Sequence, residues 1–138
     1  MASAPRFSLV LETPPAAPAV AEAHFAARLA FETDPSDVKA DLDKGDAPFV
    51  VVDCRSATSF AAGHVPGALN LPYRTIAPET TEHLRGKALV TYCTSWHCNA
   101  STKGALRLAR LGFQVKEMTG GMAGWRHEGY PVATGPSA

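Results

Sequence analysis

The chain has 138 residues, 46% hydrophobic and 19% charged, with 13 basic against 13 acidic side chains. That length suits one domain around one core, and the hydrophobic fraction is out of keeping with a disordered chain. Zero formal charge removes the electrostatic case for nucleic acid, and no apolar run approaches the ~20 residues of a membrane helix. The opening residues hold one arginine and a short apolar patch ended by Glu12, unlike a secretory signal. The expectation is a soluble cytoplasmic chain, with neither nucleic acid nor a membrane as partner.

Four prolines fall within the first 18 residues, which predicts an extended leader over 1–18 ahead of a single domain over 19–138. Val20 to Phe31 is alanine-rich, with Phe25 and Leu29 one turn apart, and reads as a helix. Asp34-Pro-Ser-Asp37 starts a second helix, running through Leu42 and stopping near Gly45. Both are expected to pack as a layer over a sheet. Phe49 to Asp53 and Ala88 to Cys93 are short β-branched apolar runs, suited to strands buried on both faces of a parallel sheet. Between them, Gly63 to Pro72 is a tight turn leading into a brief strand. Asn99 to Leu111 is amphipathic, with Lys103, Arg107 and Arg110 opposite Ala105, Leu108 and Leu111, and Gly112 ends it. Gln114 to Met118 reads as another strand, followed by a helix carrying Trp125. This alternation predicts an α/β fold with a mostly parallel sheet.

Three cysteines, Cys54, Cys93 and Cys98, make an odd number with no second ligand pair at zinc spacing. No metal and no cofactor are expected, and thiol chemistry is the lead. Cys93 ends a buried strand and precedes a helix N-terminus, the position at which open α/β sheets bind ligands. Unpaired amides and the helix dipole there favour negative charge, so its thiol is expected to ionise more readily than a free one.

The segments Val52-Asp-Cys-Arg-Ser56, Phe60-Ala-Ala-Gly-His-Val-Pro-Gly-Ala-Leu-Asn-Leu-Pro72, Thr91-Tyr-Cys93 and Gly120-Gly-Met-Ala-Gly-Trp125, with Gly129-Tyr-Pro-Val132, stand in this order within residues 46–133. Together they resemble a single-domain rhodanese, a sulfurtransferase. The resemblance implies a five-stranded sheet with helices on both faces. It also implies that Cys93 takes a sulfane sulfur as a persulfide, from a donor such as thiosulfate, and passes it to cyanide or a thiol, including a thiol on a protein. The amides of Thr94, Ser95, Trp96, His97, Cys98 and Asn99 are expected to curl around the outer sulfur as an anion nest. The scheme is two-step and ping-pong.

Many family members carry an arginine where Cys98 stands, and a glutamate where Ser59 precedes Phe60. Cys98 has two readings: a resolving thiol for Cys93, or a packing residue in the first helical turn. Those readings carry an alternative function, a non-enzymatic redox-sensing or protein-binding module using Cys93 and Cys98. His97 either acidifies Cys93 or faces solvent, and Trp96 lines the mouth of the site or meets a partner. Arg55 is read as holding the turn after its strand by an ion pair, with substrate binding as a second role. Cys54 is expected to point into helix packing, and His64 and Trp125 are read as structural. A phosphatase of similar fold is disfavoured, because its loop needs an arginine where Asn99 stands.

Overall fold

The computed structural model describes residues 6–136, so residues 1–5 of the expected leader lie outside the described residues. The chain divides into two compact units at Ala30 and Phe31. In the first, residues 6–17 hold no helix or strand, and a turn is closed by the Leu11 amide donating to Ser8 Oγ at 3.2 Å. Helix α1 (Pro18–Phe31) follows, beginning two residues earlier than its alanine run predicts because proline fits a first helical turn. None of its residues is buried.

The second unit opens with β1 (Glu32–Thr33) and α2 (Pro35–Asp43). Asp34 caps α2, its Oδ1 accepting from the Asp37 amide at 2.8 Å. There follow β2 (Phe49–Asp53), α3 (Ala57–Ala62), β3 (Leu69–Asn70), α4 (Pro78–Thr81), β4 (Ala88–Tyr92), α5 (Ala100–Arg110), β5 (Val115–Met118) and α6 (Gly121–His127). The sheet has five strands in the order β1-β5-β4-β2-β3, every pair parallel.

Alternation along the central strands divides the core. Val51, Val90, Tyr92 and Met118 pack with Val38 of α2, Phe60 of α3, and Met122 and Trp125 of α6. Their neighbours Val52 and Leu89 face the other way, onto Leu108 of α5, Leu71, Ile76 and Leu84. Helices thus cover both faces. Cys54 lies in the second cluster, against α5. A Cβ at Gly104 would come within 2.5 Å of its sulfur, so Cys54 is a packing residue whose thiol burial pushes far up. His64 and Trp125 are structural too. His64 stacks on Phe60 at 3.6 Å, and Trp125 Nε1 donates to the Pro131 carbonyl at 2.7 Å.

The residues joining β2 to α3 are tied by a buried ion pair. Asp53 is fully buried, and its carboxylate accepts from Arg55 Nε at 3.0 Å, from Nη2 at 2.7 Å and from the Arg55 amide at 2.9 Å. Nη2 also donates to the Gly63 carbonyl at 2.7 Å. Arg55 therefore needs no glutamate at position 59, where Ser59 instead joins the cap of α3. Removing one partner of a buried pair strands the other charge. Asp53→Ala is expected to cost about 3 kcal/mol, read as a fall in the urea unfolding midpoint.

Candidate active site around Cys93

Cys93 is the first residue beyond β4, and it lines a cleft of about 630 Å³. Ser95, Trp96, His97, Cys98 and Asn99 of the following loop line it. Thr94 and Arg55 do not belong to that lining, and the Arg55 guanidinium is committed to Asp53 and Gly63. Trp96 is 71% exposed at the loop tip, and His97 is exposed beside it. Asn99 stands at the N-cap of α5 without a side-chain cap bond.

The loop's shape comes from α6. The amides of Met122 and Ala123 donate to the carbonyls of Cys93 and Thr94, each at 2.8 Å. The chain approaches so closely that a Cβ at Gly121 would lie 2.3 Å from the Cys93 carbonyl oxygen, and Gly121 has φ +57°. Only glycine fits there.

Of the amides expected to surround the outer sulfur on Cys93, those of His97 and Cys98 are engaged within the loop. The Ala100 and Thr94 amides act to lower the Cys98 thiol. The His97 amide donates to Ser95 Oγ at 3.1 Å, and the Cys98 amide to the Ser95 carbonyl at 3.2 Å. The hydroxyl and amide of Ser101, one turn further on, act to lower the Cys93 thiol. Around Cys93 Sγ lie the Cys98 carbonyl at 3.2 Å, Ser101 Oγ at 3.3 Å and the Ser95 carbonyl at 4.0 Å. The residue is only 2% exposed.

These surroundings reverse the expected acidity. Burial raises the Cys93 thiol, opposed by the Ser101 hydrogen bonds, and its bond to Cys98 raises it further. Burial also pushes Cys98 up, but the amides of Ala100 and Thr94, the bond from Cys93 and the charge of Arg55 outweigh it, leaving Cys98 below the ordinary thiol range. The more acidic sulfur is Cys98. Both thiols are free.

Several residues lining the cleft escaped the sequence reading, Glu32, Ser101, Thr102 and Glu117 among them. Ser101 of α5 and Glu117 of β5 meet at 2.6 Å, Oγ to Oε2, and Thr102 Oγ1 donates to the same oxygen at 2.6 Å. Glu32 lines the cleft beside Glu117, its register partner across the β1–β5 pair. A signal was present: Ser101, Gly104 and Leu108 make the inward stripe of α5, where a hydroxyl needs a partner. Glu117 is likewise a charge in a short parallel strand.

A strand–cysteine–loop–helix site on a parallel sheet of this order agrees with comparison to known proteins. The family profile described as rhodanese-like domain matches residues 34–128. The chain belongs to the rhodanese-like domain family. It is similar to the thiosulfate sulfurtransferase GlpE of Pseudomonas putida, 35% identical over 111 residues, covering 78% of this chain and 96% of that protein. It is also 37% identical over 86 residues to an HTH-type transcriptional regulator of Mycobacterium tuberculosis, covering 62% of this chain but only 38% of the regulator. Among solved structures, a Bacillus halodurans protein superposes with a TM-score of 0.83 at 39% identity, over 86% of this chain and 87% of that one. Homology to thiosulfate sulfurtransferases supports enzymatic activity of the rhodanese superfamily. Among the described residues no helix is long and apolar enough to cross a membrane.

In this rhodanese-like domain the two thiols are expected to titrate in two steps by ultraviolet thiolate absorbance. The first, from Cys98, lies below the ordinary thiol range and disappears in Cys98→Ser. The second, from Cys93, lies above it, because a raised pKa keeps the proton until the pH climbs through that value. A Gly121→Ala substitution is expected to cost about 2 kcal/mol or more, as a left-handed residue forced against a backbone carbonyl. Thermal denaturation measures that loss.

Proposed function

We propose that this protein is a sulfurtransferase that carries a sulfane sulfur as a persulfide on Cys93, in the cytoplasm. The donor is a small molecule such as thiosulfate, and the acceptor is a thiophile such as cyanide or a thiol, including a protein thiol. The observation that supports this reading is that Cys93 lines a cleft while the Cys98 carbonyl and Ser101 Oγ lie 3.2 and 3.3 Å from its sulfur. An inert core cysteine has apolar neighbours, as Cys54 does. In the first half-reaction the Cys93 sulfur attacks the outer sulfur of thiosulfate and sulfite leaves. In the second, the acceptor takes that sulfur and Cys93 is restored.

The loop residues Thr94 to Asn99, read from the sequence as substrate-binding, have unequal parts in this scheme. Ser95, Trp96, His97, Cys98 and Asn99 border the space a donor enters. Thr94 stands outside that border, and Arg55 supports the adjoining turn through Asp53. Where many relatives carry an arginine, Cys98 brings a second sulfur instead. The closeness of Cys98, whose carbonyl lies 3.2 Å from Cys93 Sγ, favours one further reading, a redox pair that closes as a Cys93–Cys98 disulfide under oxidant.

The two readings separate on one set of samples. After incubation with thiosulfate or inorganic polysulfide, intact mass is expected to show one added sulfur, removed by cyanide and absent in Cys93→Ser. Cys98→Ser is expected still to load sulfur. Loss of all loading in several donors, together with a reversible disulfide abolished by Cys98→Ser, selects the redox pair instead.

A further inference from the structure

The carboxylate of Glu117 has no part in the scheme above, yet one hydroxyl joins it to the reacting sulfur. Ser101 Oγ is 3.3 Å from Cys93 Sγ and 2.6 Å from Glu117 Oε2. A serine hydroxyl has one proton to donate and lone pairs to accept with. The short bond to a carboxylate is charge-assisted and takes that proton. The serine oxygen then has lone pairs to take the Cys93 proton, which also has the Cys98 carbonyl in reach at 3.2 Å. Thr102 donates to the same carboxylate oxygen at 2.6 Å and fixes its position. The Ser101 side chain is itself anchored, because its residue is 3% exposed and its carbonyl accepts from Thr91 Oγ1 at 3.1 Å.

We propose that Ser101 and Glu117 form a proton relay that takes the thiol proton of Cys93 as its sulfur attacks and returns it when the sulfur is released. This rests on the persulfide reading. In the loading half, Cys93 Sγ bonds to the donor's sulfane sulfur, and the bond from that sulfur to its carrier breaks with its electron pair on the carrier. The thiol proton moves to Ser101 Oγ as the serine proton moves to Glu117 Oε2. In the unloading half, an acceptor thiolate bonds to the outer sulfur. The sulfur–sulfur bond to Cys93 breaks with its electrons on Sγ, and the protons run back. No oxidant or reductant beyond donor and acceptor is needed.

The need for such a relay follows from burial. A thiol that burial holds protonated presents little thiolate at neutral pH. The two carbonyl oxygens near Sγ accept a hydrogen bond but pass no proton on, whereas Ser101 leads to a base. Other titratable groups bear on the site: Cys98 bonds to Cys93, His97 and Glu32 line the cleft, Arg55 acts on Cys98, and Cys54 lies behind Cys93. Of these, Cys98 is the rival base.

The test follows the rate of Cys93 alkylation by iodoacetamide against pH, read by peptide mapping on the full chain. The wild type is expected to hold a rate plateau across neutral pH, below the range where Cys93 thiolate forms. Ser101→Ala and Glu117→Gln are expected to lose it, with the rate falling about tenfold for each pH unit lowered. Glu117→Gln keeps an oxygen for both hydroxyls, and its urea midpoint checks the fold. Single-turnover loading with inorganic polysulfide at pH 7 is expected to slow about tenfold to hundredfold in both variants. A plateau absent from the wild type, retained in both variants, or abolished by Cys98→Ser alone overturns the relay. Wild-type protein that alkylates with the plateau but never gains sulfur instead overturns the persulfide reading and leaves the relay standing.

Discussion

Two hydrogen bonds decide the geometry of the site: the amides of Met122 and Ala123 holding the carbonyls of Cys93 and Thr94. The chain leaves β4 pointing out of the sheet and has to reach α5 on its other side. With those carbonyls pinned against α6, the loop must curl over the cleft rather than run straight into the helix. Gly121 makes the contact possible, since any side chain there meets the Cys93 carbonyl. A loop anchored on a strand at one end and a helix at the other holds its groups before a substrate arrives, which is the condition for preorganised catalysis.

The pinned loop distributes its donors unequally between two sulfurs. Cys98 lies below the ordinary thiol range, the Ala100 and Thr94 amides helping to outweigh its burial. Cys93, deeper and facing carbonyl oxygens, keeps its proton. The buried sulfur has the cleft before it and the Ser101 hydroxyl beside it, and its neighbour holds negative charge more easily. Charge around the cleft has the same tendency. Glu32 and Glu117 line it, and no lysine or arginine does, so anionic character is balanced by amides, hydroxyls and His97 rather than by a guanidinium.

Support for the loop comes from both layers. On one face the sheet packs α2, α3 and α6, whose Trp125 and Met122 fix the helix that holds the cysteine carbonyls. On the other face α5 lies over Cys54 and Leu89 and presents Ser101 toward Cys93. The buried Asp53–Arg55 pair secures the adjoining turn, and Asn70 Nδ2 closes it by donating to the Arg55 carbonyl at 3.0 Å. Polar groups are thus concentrated along the carboxyl edge of the sheet, where parallel strands leave a crevice.

Much of this was legible in the residue order. Continuous β-branched runs marked β2 and β4, a capped Asp-Pro start marked α2, and a polar–apolar stripe marked α5, because each pattern reflects local burial. The same patterns placed Cys93 at a strand end and Cys54 in the packing. The two-residue β1 was invisible, since Glu32 and Thr33 become a strand only by pairing with Glu117 and Met118. Short α3 carries too few turns for a period. The chemistry of the site was legible only in kind: a thiol, a loop and a helix start. Which amide reaches which sulfur, and that Ser101 links Cys93 to a carboxylate on a different strand, depend on three-dimensional approach between segments far apart in the chain. Local pattern records which face of an element is buried. It carries no record of the direction in which a loop amide finally points, and that direction set the acidity of both thiols.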